Sequence, residues 1–379
     1  MFYNFNVMDS NQRRPATGQN QGADTEREQR RQGAAKRRVP RGRQRRREAR
    51  AKGIFILAIA AVLAVLAIRF LPPLIRQARK NDSEAGADVT VRAVDAEEVL
   101  HLTFPALYTP DGQSNEGGAL TVKQFRRILE DLYARDYVLV NFYSLVTVGE
   151  NSISRADLEV PDGKKPLVIS QSGMHYTEGG DGYPVSMQFS GAGGIVNSFK
   201  RANGTDAMGI YDVIPVVEEF LQMHPDFSFQ GARGLVALSG QGGTFGFDSA
   251  TDERFTQLIT ELRSRGWHFA SNGYGDISYG SDVELVREDA ENWQQAIGQH
   301  LGTTDTLIFP RRSDIGRWSG YTQDNEKFAL LSELGFRYFC VEDDQNFTWM
   351  QTGDNYMRQV VHRIDSYAAY ESVLQLAEI

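Results

Sequence analysis

Three short stretches hold the residue types that could do chemistry, and each follows an apolar run. The first is Ser170-Gln171-Ser172-Gly173-Met174-His175-Tyr176, directly after Pro166-Leu167-Val168-Ile169. The second is Ser271-Asn272-Gly273-Tyr274-Gly275-Asp276, after Trp267-His268-Phe269-Ala270, and the third is Pro310-Arg311-Arg312-Ser313-Asp314, after Thr306-Leu307-Ile308-Phe309. A divalent cation could be held by His175 and Asp276 with Asp181 or His101, since a catalytic zinc needs three protein ligands. A glycosidase-like pair could be drawn from Glu178, Asp181, Asp276, Glu342 and Asp343. Against these stand plain alternatives: a polar histidine at a cleft rim, and surface carboxylates in an acidic domain. Tyr176, Tyr183, Tyr274, Trp318, Tyr321 and Trp349 have ring faces suited to pyranoses, and Arg311 or Arg312 could meet an acidic sugar or a peptide carboxylate. Core packing explains any single aromatic equally well.

The elements that must position these stretches follow from periodicity. Apolar residues Val122, Phe125, Ile128, Leu129 and Leu132 fall on one face of a helix that Thr121 can cap. Further helical periods run over 212–224, 251–265, 281–300 and 326–334. Strands are expected at 137–140, 166–169, 234–238, 267–270, 306–309, 337–341 and 358–362, seven in all. The alternation means a largely parallel sheet, and seven or eight units favour closure into a distorted (β/α)7–8 barrel, with chemistry at the strand C-termini. Leu100–Leu107 reads as a short buried segment. Residues 177–211 are glycine-rich and without helical period, and read as a hairpin or lid inserted over the top of the barrel.

The charge is unevenly distributed. The 379-residue chain carries a net −8, but residues 1–52 alone carry +10 and the remainder −18. Residues 1–52 have almost nothing apolar after Val7 and Met8 and are expected to be a disordered basic tail. Residues 53–68 are free of charge, and Arg69 can snorkel, so 53–75 reads as a transmembrane signal anchor with the basic flank on the cytoplasmic side. The tail is then suited to anionic membrane lipid, and a nucleic-acid role is disfavoured. Residues 76–97 read as a polar stalk, 98–165 as an N-terminal extension of an extracytoplasmic domain, and 166–379 as its main body. The single cysteine, Cys340, excludes an intrachain disulfide framework and reads as a buried strand residue.

From about residue 120 onward the order and spacing of these motifs resembles the polysaccharide deacetylase family (NodB homology, carbohydrate esterase family 4). Lys164-Lys165-Pro166-Leu167-Val168-Ile169-Ser170 resembles the entry to the family's Thr-Phe-Asp-Asp motif, and Arg265-Gly266-Trp267-His268-Phe269-Ala270-Ser271 the entry to its His-x-x-x-His motif. The resemblance implies a metal, usually zinc, on one Asp and two His, with a neighbouring Asp as base. Carried across, the base falls on Ser172, the metal Asp on Gly173, and the two histidines on Asn272 and Asp276. All four depart from the pattern, and Arg311 and Arg312 stand where the family has an aromatic residue and a glycine. His362 falls near a late active-site histidine of the family. The expectation is therefore a membrane-anchored, deacetylase-like protein that is catalytically inactive, lacks a cofactor, and uses His175, Tyr176, Tyr274, Arg311 and His362 to line a groove for cell-wall or exported polysaccharide. Two alternatives remain. One is an active hydrolase with a zinc site rearranged around His175 and Asp276. The other is a scaffold in an envelope complex.

Overall fold

Alternate residues of the strands face two different apolar cores, and that alternation defines a barrel. Leu167, Ile169, Val236, Leu238, Leu307 and Phe339 cluster with side chains from the helices, whereas Val168, Leu235, Ala237, Ala270, Ile308, Cys340, Met357 and Val361 form a second cluster containing none of those helix residues. The first set is the wall between strands and helices; the second fills the interior. A period of two makes this partition automatic once the strands are buried on both sides.

The computed structural model describes residues 90–377 apart from 112–114, 116, 151, 175, 177–181, 192, 241–243, 248, 317–318 and 343–347. The expected tail, anchor and most of the stalk lie outside the described residues, as do His175, Glu178, Asp181, Trp318 and Asp343. Among the described residues no helix is long and apolar enough to cross a membrane.

In chain order the first strands are β1 (Val91–Asp95), β2 (Leu100–Phe104), β3 (Tyr137–Leu139), β4 (Val146–Val148), β5 (Ile153–Arg155), β6 (Asp157–Pro161) and β7 (Lys165–Gln171). Then come β8 (Pro184–Phe189), β9 (Ile195–Lys200), β10 (Asp206–Gly209), β11 (Gly234–Leu238) and β12 (Trp267–Ser271). The last are β13 (Thr306–Ile308), β14 (Tyr338–Glu342), β15 (Met350–Gly353) and β16 (Tyr356–Arg363). The helices are α1 (Val122–Ala134), α2 (Val213–Met223), α3 (Glu253–Ser264), α4 (Val283–Trp293, continued by a π-helical turn, Gln294–Gly298), α5 (Glu326–Glu333) and α6 (Tyr367–Ala377).

Seven strands, β7-β11-β12-β13-β14-β16-β2, pair in parallel and return to β7, closing the ring. The α/β barrel and its seven strands are as expected, but one member differs. β2, read from sequence only as a buried segment, lies between β7 and β16. β3 pairs only with the first half of β7, Lys165–Leu167, while β11 pairs with Ser170 and Gln171. The end of the barrel at the strand N-termini is closed by the antiparallel pairs β1–β6 and β4–β5, which put Val94, Leu158, Val160 and Ile153 into the inner cluster beside Phe142.

Two boundaries move as a result. β1 lies within the range expected to be stalk, because alternate pairing with β6 buries Val94 there. The range 98–165, expected as an extension, supplies β2, α1 and β3 and is part of the barrel. Within 177–211 the described residues form a three-stranded antiparallel sheet, β8-β9-β10, in contact with α2.

Local signals explain the element boundaries. Thr121 and Gln124 form a reciprocal capping box at α1, 3.2 and 2.9 Å, a device worth about 1 kcal/mol. Its buried residues, Phe125, Ile128, Leu129 and Leu132, are four of the five that the periodicity picks out, and the fifth, Val122, is partly buried against the same core.

Candidate functional site at the C-terminal ends of the strands

Inward-facing residues change from apolar to polar on passing along the barrel toward the strand C-termini. In the middle, the His101 ring takes Ser170 Oγ at Nε2, 2.9 Å, and Gln359 Nε2 at Nδ1. Burial, with the charge of His362, pushes the His101 imidazole down to about 3, so it is neutral and structural. One layer further on, Ser172 Oγ–H donates to Glu342 Oε1 at 2.9 Å and lies 3.1 Å from Thr103 Oγ1. Arg363, the last residue of β16, reaches both oxygens of Glu342 through Nη1 at 3.4 Å.

Asn272 ties three strand ends together. Its Oδ1 accepts from the Gly173 N–H at 3.0 Å, and its Nδ2 donates to the Ile308 carbonyl at 2.9 Å. The loop that follows is held from behind by Asp289, a buried carboxylate that neither motif contains. It accepts from the Tyr274 and Gly275 amides at 2.9 and 2.7 Å and from the Tyr279 hydroxyl at 2.9 Å. Gly273 has φ +74°, and a Cβ there would stand 2.7 Å from Asp289 Oδ2, so glycine is required for the carboxylate to come so close.

The rim is a chain of ion pairs. Arg311 Nε donates to Asp276 Oδ2 at 3.1 Å, while Asp365 Oδ2 lies 3.5 Å from Arg312 Nη2 and 3.8 Å from Arg363 Nε. Asp276, Arg311 and Arg312 all have left-handed backbones, with φ of 51°, 54° and 52°. Such conformations cost L-residues about 1–2 kcal/mol each.

These contacts decide whether a metal fits. Gly173 has no donor, the Asn272 amide is committed on both atoms, Ser172 is buried and bonded to Glu342, and Asp276 is paired with Arg311. Among the described residues no group of three or more His, Cys, Asp and Glu side chains could hold a metal ion. The donor set at the four carried-over positions does not suit zinc. His175, on which the rearranged zinc site depended, lies outside the described residues.

The expected groove residues are only partly brought together. Arg311 is at the rim, and Tyr274 stands against Gly240, where a Cβ would overlap its ring. Tyr176 is withdrawn instead: its hydroxyl donates to Asp212, which also accepts from Gln171 Nε2 at 2.8 Å and the Leu107 amide at 3.1 Å. Burial raises the Asp212 carboxyl and, with that carboxylate beside it, the Tyr176 hydroxyl. Tyr321 is likewise buried, hydrogen-bonded to Asp314 beneath the Arg358 guanidinium, which also covers Trp349.

His362 is not at the mouth. It faces outward and lines a cavity of about 420 Å³ with Leu100, Tyr137, Lys165 and Pro166, near the starts of β2, β3 and β7. The inward positions of β16 are Met357, Gln359, Val361 and Arg363, so the period of two places the following residue, Arg363, at the site. Arg363, Thr103, Asp289 and Asp365 were not singled out by motif. The strand alternation could have found Arg363 and Thr103. Glu342 was visible only as one carboxylate among several.

No protein-family model matches the chain, and no curated protein does. Among solved structures, the Streptococcus pyogenes deacetylase PplD is 11% identical with a TM-score of 0.42, covering 76% of this chain and 100% of its own. A polysaccharide deacetylase from Bacillus cereus is 10% identical with a TM-score of 0.40, over 74% of this chain and 69% of its own. IcaB from Ammonifex degensii is 12% identical with a TM-score of 0.37, over 74% and 99%. At these values the likeness assigns no residue a role.

Proposed function

We propose that the protein is a membrane-anchored, extracytoplasmic member of the deacetylase-like barrels that binds cell-wall or exported polysaccharide without turning it over. The observation that carries this reading is the state of the four positions at the mouth. Ser172 is bonded to the buried Glu342, the Asn272 amide is committed to the Gly173 N–H and the Ile308 carbonyl, and Asp276 is paired with Arg311. A metal would have to break several bonds, each worth about 1 kcal/mol or more when buried. The flanks that resemble the deacetylase motifs support the polysaccharide ligand class. The anchor rests on the uncharged stretch 53–68 and the +10 balance of residues 1–52 beside the −18 of the rest.

The first test is the zinc content of the purified chain after zinc exposure and exhaustive dialysis, read together with acetate release from N-acetylated glycan. Far less than one zinc per chain and no acetate is the expected result. One zinc, lost together with turnover in His175→Ala or Asp276→Ala, would replace this reading with the hydrolase. Retention of glycan by the wild type should fall when Tyr274→Ala and Arg311→Ala are combined, and unchanged retention would count against the mouth as the binding site. Protease added to intact cells should degrade the part after residue 81; full protection would overturn the topology.

A further inference from the structure

The mouth holds guanidinium groups whose donors are only partly used. The Arg363 Nη1 and Nη2 atoms lie 3.7 and 3.8 Å from where a Cβ on residue 173 would stand, and among the described residues nothing else comes within 4 Å of that point. Nη1 reaches Glu342 and Nε approaches Asp365, whereas among the described residues Nη2 has no hydrogen-bond partner. Arg311 engages Asp276 through Nε alone, so both its terminal nitrogens are unengaged among the described residues. A guanidinium carries five donors in a planar fork that matches a carboxylate with two parallel bonds. Arg311 is held by one contact to the half-exposed Asp276, and Arg363 by long contacts, 3.4 Å to the buried Glu342 and 3.8 Å to the half-exposed Asp365, so neither fork is filled by a bidentate partner.

Backbone geometry points to the same place. Among the described residues, three of the seven non-glycine residues with left-handed φ are Asp276, Arg311 and Arg312, all at this mouth. Strain of this kind persists where the surroundings hold it, and it concentrates at ligand sites.

Resting on the glycan-binding reading above, we propose that the mouth is a subsite for a carboxylate-bearing sugar. Arg363 receives the carboxylate in the space over Gly173, with Arg311 and Arg312 at the rim. A carboxylate rather than a phosphate is favoured by what Arg363 already holds: its contacts are the carboxylates of Glu342 and Asp365, and the gap is that of one missing short side chain. A protein cation thus stands beside the position where the resemblance implies a metal-binding aspartate.

The test compares a galacturonate tetramer with its methyl ester, binding each to the full-length protein in detergent by calorimetry at one salt concentration. The acid should bind at least roughly tenfold more tightly, a difference of about 1.4 kcal/mol. Arg363→Gln should bring the ratio close to one. Gly173→Asp supplies an internal carboxylate at a φ that Asp occasionally adopts, with an ordinary van der Waals distance to Arg363, and should also abolish the preference for acid over ester. Equal binding of acid and ester, or a preference that survives Arg363→Gln, would overturn the subsite. Free galacturonate or inorganic phosphate binding as tightly as the tetramer would overturn the assignment to a carboxylated sugar chain. Binding of neutral N-acetylglucosamine oligomers without any acid preference would end this inference and keep the glycan reading, whereas no binding to any glycan would end both.

Discussion

The two ends of the barrel are built on opposite principles. At the strand N-termini the interior is apolar: Val94, Phe142, Ile153, Leu158, Val160 and Met357 pack together, and β1–β6 and β4–β5 close the opening. At the C-termini the same inward positions carry Thr103, Ser172, Glu342, Asn272 and Arg363, and the rim adds left-handed residues and half-exposed ion pairs. One sheet therefore has a closed end that supplies stability and an open end whose polar groups are held in place by it. In barrels of this kind the separation lets the mouth change without loss of the fold.

The comparison breaks most visibly at the closed end. Phe142→Ala should lower the free energy of unfolding by about 3–5 kcal/mol, measured by urea denaturation, because a fully enclosed ring is lost from a core that cannot collapse around the gap. Equal destabilisation by mouth substitutions would remove the contrast.

The middle layer offers a pH test. His101 stands at about 3 in the folded chain against 6.5 for an ordinary imidazole, so the unfolded state binds the extra proton. The stability it contributes is full above pH 6.5 and is lost as the pH falls toward 3, with a slope approaching roughly 1.4 kcal/mol per pH unit. In denaturant titrations the wild-type minus His101→Gln difference in unfolding free energy should fall steadily as the pH drops through that window; a parallel offset at every pH would count against the assignment.

The smallest effects belong to the mouth and divide by burial. Arg363→Ala leaves Glu342, only 6% exposed, with a lost partner and should cost about 1–3 kcal/mol. Arg311→Ala breaks an exposed pair with Asp276 and should change stability by less than about 0.5 kcal/mol while weakening ligand binding. Similar thermal shifts for the two would erase the distinction between inner and rim arginines.

Much of this fold was legible because local rules and tertiary structure agree. The helix from Val122 has its cap, its apolar face and its capping box in consecutive residues. The strand at Lys165–Gln171 is announced by a proline and three apolar residues. β2 was legible only as apolar, since its ring partners are Leu167 to Gln171 and His362 to Arg363, far away in sequence. The polar spelling of β1 hid the alternation that buries Val94. At the site, sequence singles out Ser172, Gly173, Asn272 and Asp276 but not Asp289 or Asp365, which meet the mouth only through the fold. The placement of His362 fails by one residue, which in a strand is the difference between the two faces of the wall.

The position of β2 also sets the order in which the molecule can be made. The ring closes only when Leu102 and Thr103 meet His362 and Arg363, residues separated by most of the described chain. During synthesis every strand from β7 to β14 emerges before that seam can be sewn, and until then β2 and β14 are left with one open edge each. Ring closure is thus a late event of high contact order, and the growing chain must be kept from pairing elsewhere in the meantime. A chain stopped before Tyr356 would hold six of the seven staves and no barrel.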